Sequence, residues 1–240
     1  MRITLFTVYV VFYAFSACAY SLSPIAAKES SLHHWAGIHS GLILGGQLGR
    51  SSDKTAAFGY NADLEEWDYS ESGLNVGAVL GYSALWQHFV FGPEIELGYL
   101  NMKGRGAQPS SPGFDTVGKS SSDFYTTFRA RLGIDLDQYL LFATAGVIGV
   151  NYSERVVDDC NIAPCGGGTL YAKKDSFVWG YTMGGGMEYL FKQSWSAKIE
   201  CLYFNLNRQS FSGMTNFGNI YDWSGKSFGA IIRGGLNYHF

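Results

Sequence analysis

Eight ionisable side chains set the chemistry open to this chain: Glu94, Glu96, Glu188 and Glu200, against Arg129, Arg131, Lys198 and Arg233. Each sits in a run where apolar residues alternate with small or polar ones. Each therefore falls on the strand face away from the neighbouring Phe, Tyr, Ile and Leu. Four acids and four bases in one confined interior must pair, because an isolated buried charge is costly. A pore selectivity ring carries an excess of one sign, whereas equal numbers predict a neutral network that closes the space. The balance favours closure. A narrow porin passing small solutes is the alternative.

Other reactive groupings are thin. His33 and His34 are neighbours, His39 and His239 fall on inward positions, and His88 lies in a turn. Acyl hydrolysis needs a Ser–His pair with a carboxylate. His39 and Ser40 are adjacent on a strand and point to opposite faces. Gly166, Gly167 and Gly168 lack the strand-to-helix setting of a phosphate cradle. No catalytic set, cofactor site or metal centre is expected, and the chain does not read as an enzyme. Cys160 and Cys165 stand in a Gly- and Asp-bearing loop, where export favours a disulfide over half of a metal site. Cys201 falls on the apolar face of a strand and reads as a small hydrophobe.

The elements that position these groups are strands. Only 15% of residues are charged, while 16 Tyr, 17 Phe, 6 Trp and 31 Gly make the chain rich in aromatics and glycine. A soluble domain carries about 25% charged residues, so much of this surface is not built for water. Net charge of -3 gives no reason to expect a nucleic-acid partner. Beyond the first 19 residues nothing approaches the apolar length of a membrane helix. Alternating runs fall instead near 35–49, 73–86, 89–103, 123–136, 139–156, 176–191, 195–210 and 227–240. The last puts Phe228, Ala230, Ile232, Leu236, Tyr238 and Phe240 on one face, with Arg233, Asn237 and His239 on the other. The fold class predicted is all-β: an eight-stranded antiparallel transmembrane up-and-down β-barrel over 35–240. A soluble barrel would put Lys and Glu outside and its oily face inside. Pro93 within the third run predicts a bulge or a lost ladder bond.

The start reads as a targeting segment: Arg2, an apolar run from Ile3 to Phe15, then Ala17-Cys18-Ala19. Residues 1–19 are expected to be a signal peptide and 20–34 a periplasmic leader. Cleavage at Ala27 and lipidation at Cys18 are the alternatives. Strands then join by alternately short and long connections, with both termini in the periplasm. The expected long loops are 50–72, 104–121, 157–174 and 211–226. Phe58, Tyr60, Trp67 and Tyr69 in the first, with Phe217, Tyr221 and Trp223 in the last, are expected surface contacts. Aromatics at strand ends (Trp35, Trp86, Phe89, Tyr139, Phe191, Trp195 and Phe240) are expected to form an interfacial girdle.

Together these runs resemble the opacity-type, OmpA-like small outer-membrane barrels of Gram-negative bacteria, the porin-family surface antigens. The resemblance rests on Trp35-Ala36-Gly37-Ile38, Phe128-Arg129-Ala130-Arg131-Leu132-Gly133 and Gly184-Gly185-Gly186-Met187-Glu188-Tyr189. Trp195 through Lys198 with Glu200 and Tyr203, and the stretch from Arg233 to Phe240, complete it. It implies an outer-membrane location, an envelope-stabilising role and surface loops that meet a host protein or glycan. It also implies contact with outer-membrane lipid and lipopolysaccharide, and assembly by the barrel machinery through the C-terminal strand. Ligand capture such as haem binding by the loops is a second alternative. The loop cysteines depart from the family pattern.

Overall fold

The computed structural model describes residues 35–58, 61–111, 115–159 and 168–240. The expected signal segment and leader, Tyr60, Cys160 and Cys165 lie outside the described residues. Strands follow one another as β1 (Gly37–Thr55), β2 (Glu66–Trp86), β3 (Phe89–Ala107), β4 (Val117–Leu136) and β5 (Tyr139–Asp158). Then come β6 (Leu170–Lys192), β7 (Trp195–Leu206), β8 (Gln209–Thr215) and β9 (Ile220–His239). Every pairing is antiparallel, and β9 closes the sheet on β1 with His39 opposite His239. β7 and β8 act as one stave interrupted at Asn207 and Arg208: β7 lies between β6 and β9, and β8 takes over both partners above it. The ring therefore has eight staves, with the β6 ladder interrupted over 173–179, between its pairing with β8 and its pairing with β7.

Alternation explains which face is which. Leu42, Leu44, Leu48, Leu74, Phe128, Leu132 and Ile199 all stand more than half exposed. Water would not tolerate such a continuous apolar wall, whereas lipid requires it. Trp86, Phe89, Tyr139, Phe191, Trp195 and Phe240 rim the wall at the end that holds the short turns. There Tyr139 stacks on its cross-strand partner Tyr189 at 4.9 Å, and Trp195 meets Tyr238 edge-on at 5.2 Å. Trp35 departs from the expected girdle. It is 1% exposed, gives its indole N–H to the Asp137 carbonyl, and packs with Val90, Leu140 and Leu190 inside that end.

The expected long loops are mostly strand. Residues 50–55, 66–72, 104–107, 117–121, 157–158, 170–174, 209–215 and 220–226 all belong to the ladder. The staves run well past the length that lipid requires, since a spanning strand needs about 9–11 residues and β1 has 19. Polarity inverts above the lipid band. Arg50 and Lys54 on β1, Asp68 on β2 and Arg155 on β5 point outward, while Trp67, Tyr69, Val156, Phe211 and Trp223 point inward. A reading tuned to oily-out, polar-in strands takes such segments for loops. On β4 the phase itself slips, because the register shifts between Ser122 and Tyr125. Pro93 pairs in register with Ala130 on one side, while the ladder to β2 is interrupted between Gly81 and Ala84. A ladder bond is lost there, without a bulge.

Candidate functional site

The eight charged side chains converge in the lumen, because register places them at neighbouring heights. Glu94 faces Arg129 across β3–β4, Glu188 faces Lys198 across β6–β7, and Glu200 faces Arg233 across β7–β9. None of the eight is more than 5% exposed. Arg129 contacts Glu94, lies 2.9 Å from Glu96 and reaches 3.4 Å to Glu200. Arg233 joins Glu96 to Glu200, at 2.6 Å and 2.7 Å. Arg131 contacts Glu188 and lies over the Phe142 ring at 3.9 Å. Lys198 Nζ stands 3.5 Å from Glu94 and 3.6 Å from Glu200. Asn237 donates to Glu188 at 2.6 Å, Ser196 donates to the same carboxylate, and Tyr125 donates to Glu96. Two imidazoles lie at the edge of this network: His39 at 3.7 Å from Glu94, and His239 at 3.5 Å from Glu188.

Glycine makes room for this crowd. Arg233 faces Gly45, where a Cβ would stand 2.3 Å from the Arg233 Cβ. Large side chains on one stave thus lie against bare backbone on the next, which gives part of the high glycine content a packing reason. Apolar layers sit on both sides of the charges. Towards the termini lie Trp35, Val90, Leu140 and Leu190. On the other side lie Leu100, Met102, Tyr125, Ile148, Val150, Phe204 and Ile231.

A second polar group stands beyond this apolar layer, above the lipid band. Glu71 accepts from Tyr152 at 2.7 Å and from Ser120 and Ser227. Asp53 and Glu154 lack such a set of donors: the two buried carboxyls face each other, and Tyr69 is the hydroxyl beside Asp53. Gly225 is the cross-strand partner of Asp53, and a Cβ on it would run into the Glu154 carboxyl. Burial pushes both carboxyls up, Asp53 to about 6 and Glu154, with Asp53 adding repulsion, to about 10. Trp67, Tyr69, Val156, Leu170, Ala172, Phe211 and Trp223 cover the pair. Sequence reasoning missed Asp53, Glu71 and Glu154, since polar inward residues beside polar outward ones leave no alternation of hydropathy. A weak signal was the spacing of Ser51, Asp53 and Thr55.

Three of the expected surface aromatics are not on the surface. Trp67, Tyr69 and Trp223 are 3%, 5% and 2% exposed and belong to the interior cap. Their strands continue above the membrane, where the core takes the apolar side chains and water takes the charges. Tyr221 is half-buried against the same cap, and its ring centroid is 6.4 Å from that of Trp223. Phe58 and Phe217 do reach solvent, at 87% and 66% exposed, near the exposed Leu64, Met214 and Ile220. Cys201 is a free thiol, partly exposed. Among the described residues no group of three or more His, Cys, Asp or Glu is arranged to hold a metal ion.

Residues 15–240 match the family described as outer membrane protein beta-barrel domain. The chain belongs to this family. It is similar to the 31 kDa outer-membrane immunogenic protein of Brucella melitensis, 26% identical over 91% of this chain and 88% of that protein. The 25 kDa outer-membrane immunogenic protein of Brucella abortus is 25% identical over 90% of this chain and 84% of its own length. Among solved structures, the outer membrane protein OprG from Pseudomonas aeruginosa superposes with a TM-score of 0.53 at 12% identity. The match covers 85% of this chain and 96% of that one, and it shows the shared fold alone. This barrel is therefore an outer-membrane β-barrel protein, and its apolar wall is the lipid-facing band.

Proposed function

We propose that this outer-membrane barrel is a structural and surface-contact protein whose lumen is closed to solutes. The observation that carries this reading is the stacking of filled layers: an apolar floor, a charge-balanced network, an apolar middle, an acid layer and an aromatic cap. Arg129, Leu100, Met102 and Tyr125 are all fully buried within it. An eight-stave barrel has an interior only wide enough for its own side chains. Refolded protein in planar bilayers is expected to give no stable conductance steps. Discrete, lasting steps would replace closure with the narrow-porin reading.

The contact surface in this proposal is the apolar tip rather than whole loops. Phe58, Leu64, Met214, Phe217 and Ile220 project from the ends of the β1–β2 and β8–β9 hairpins on a rigid wall. Exposed apolar residues rimmed by polar ones favour a protein or glycan partner. Phe58→Ser with Phe217→Ser is expected to cut whole-cell binding to host cells and matrix several-fold at unchanged surface level. Unchanged binding would move the contact elsewhere on the wall.

A further inference from the structure

The outer wall above the lipid band carries an arrangement that neither closure nor tip contact uses. Four staves present cations in one row: Arg105 on β3 faces Lys119 on β4, Lys119 faces Arg155 on β5, and Arg155 faces Lys173 on β6. All four point outward. Their chain neighbours Gly104, Gly106, Gly118, Ser120, Glu154, Val156 and Ala172 occupy inward or buried positions. Like charges directly across a ladder are destabilising, and here three such pairs are consecutive. The rest of this wall follows the opposite rule. Lys54 faces Glu66 in register, Arg50 lies 3.4 Å from Asp68, and Arg208 lies 3.9 Å from Glu66. Within the row Lys173 pairs with Asp175 at 2.6 Å, and the same carboxylate also attracts Arg155. No ion pair is formed by Arg105, Lys119 or Arg155 among the described residues. Arg155 instead sits 5.7 Å from the Tyr171 ring. Staves about 4.8 Å apart place the row across roughly 15 Å, wide enough for several charge-assisted contacts to phosphate oxygens.

We infer that this row binds a saccharide bearing several phosphates, supplied by the phosphorylated core of the lipopolysaccharide around the barrel. Position selects that source. The row faces sideways, not up towards the tip. It lies six residues above the wall aromatic Tyr99 on β3 and four above Phe177 on β6, both of which are exposed on the apolar wall. At about 3.3 Å per residue, reduced by strand tilt, that is roughly 10–15 Å beyond the aromatic edge. The saccharide of the outer leaflet fills this depth. Ser121, one position below, adds a hydroxyl donor on the same face, while Ser153 beside it is hydrogen-bonded to its cross-strand partner Asp175. The inference is independent of whether the lumen conducts.

The test uses the full mature barrel, refolded in detergent, with three probes: lipopolysaccharide carrying a phosphorylated core, the same material after enzymatic dephosphorylation of the core, and lipid A alone. Arg105→Ser, Lys119→Ser and Arg155→Ser are combined in one variant, and Arg50→Ser with Lys226→Ser serves as a control on the other side of the wall. In about 0.15 M salt the triple variant is expected to bind the phosphorylated-core probe at least tenfold more weakly, with the control within twofold of the parent. Dephosphorylation should weaken the parent to the level of the triple variant, and lipid A alone should bind all proteins alike. Removing mutually repelling surface charges should leave the thermal midpoint without lipopolysaccharide unchanged or higher, which separates lost binding from lost folding. Equal affinity of parent and triple variant would overturn the inference. So would a loss that dephosphorylation does not reproduce, or tight binding of soluble polyphosphate with none of the core-bearing probe.

Discussion

Arg233→Met is expected to lower the unfolding free energy of the barrel in lipid vesicles by about 3–5 kcal/mol, the cost of leaving a buried charge without its partner. Arg233 is 2% exposed and holds Glu96 and Glu200 more closely than Arg129 does, within 2.6 Å and 2.7 Å. Methionine has enough length to fill the space, so the loss should come from the stranded carboxylates and not from a cavity. Glu200 is the more affected, since its remaining bases, Arg129 and Lys198, stand at 3.4 Å and 3.6 Å. Adding Glu200→Gln restores the balance of three acids with three bases and should recover more than half of the loss. Urea midpoints of the single and double variants, with heat-modifiable migration on gels as a check on folding, decide it. A single variant within about 1 kcal/mol of the parent would mean that the network does not couple as its geometry requires.

Alkaline pH is expected to loosen the extracellular half while the membrane half stays closed. Folding keeps a proton on Asp53 up to about pH 6 and on Glu154 up to about pH 10, whereas the unfolded chain, with carboxyls near ~4, has released both by neutral pH. Stability from this source is present at low pH. It is lost as pH rises, through about 6 for Asp53 and then through about 10 for Glu154. The groups facing the pair offer little compensation: Ser51 on β1, Trp67, Tyr69 and Glu71 on β2, Tyr152 on β5, Gly118 and Ser120 on β4, and Gly225 on β9. Arg208, at the break between β7 and β8, draws both carboxyls back down. The expected local loss between pH 6 and pH 10 comes from Glu154 and is on the order of 5 kcal/mol. Hydrogen exchange, corrected for intrinsic rate, should show protection falling in 50–72 and 209–227 but not in the lipid-band part of β3–β5. Asp53→Asn with Glu154→Gln should flatten the pH dependence. The same slope in that double variant would place the titrating groups elsewhere.

What could be read from residues alone was set by contrast. Inside the lipid band outward positions are mostly apolar, while inward ones mix charged and small residues with buried apolar ones, so the phase shows best where charges stand. The phase of Phe89, Phe91, Ile95 and Leu97 against Glu94 and Glu96 is therefore visible in the sequence. Trp35 was misplaced because an aromatic at a strand start is compatible with either an interfacial or an interior position. The facing of β5 was equally undecidable, since Leu140 and Phe142 turn inward while Leu141 and Val147 turn outward.

The sequence determined the barrel, its charge-balanced interior set and its lipid-facing wall, because a period of two with opposed chemistries on its two faces admits one sidedness in a membrane. Tertiary structure alone decided how far the staves continue, that Trp67, Tyr69 and Trp223 cap the interior, and that Asp53 meets Glu154 beside Gly225. It alone aligned Arg105, Lys119, Arg155 and Lys173 as well. The physical reason is that residues far apart in the chain become neighbours through the register of four different ladders, and register is a property of the closed ring that no single strand carries.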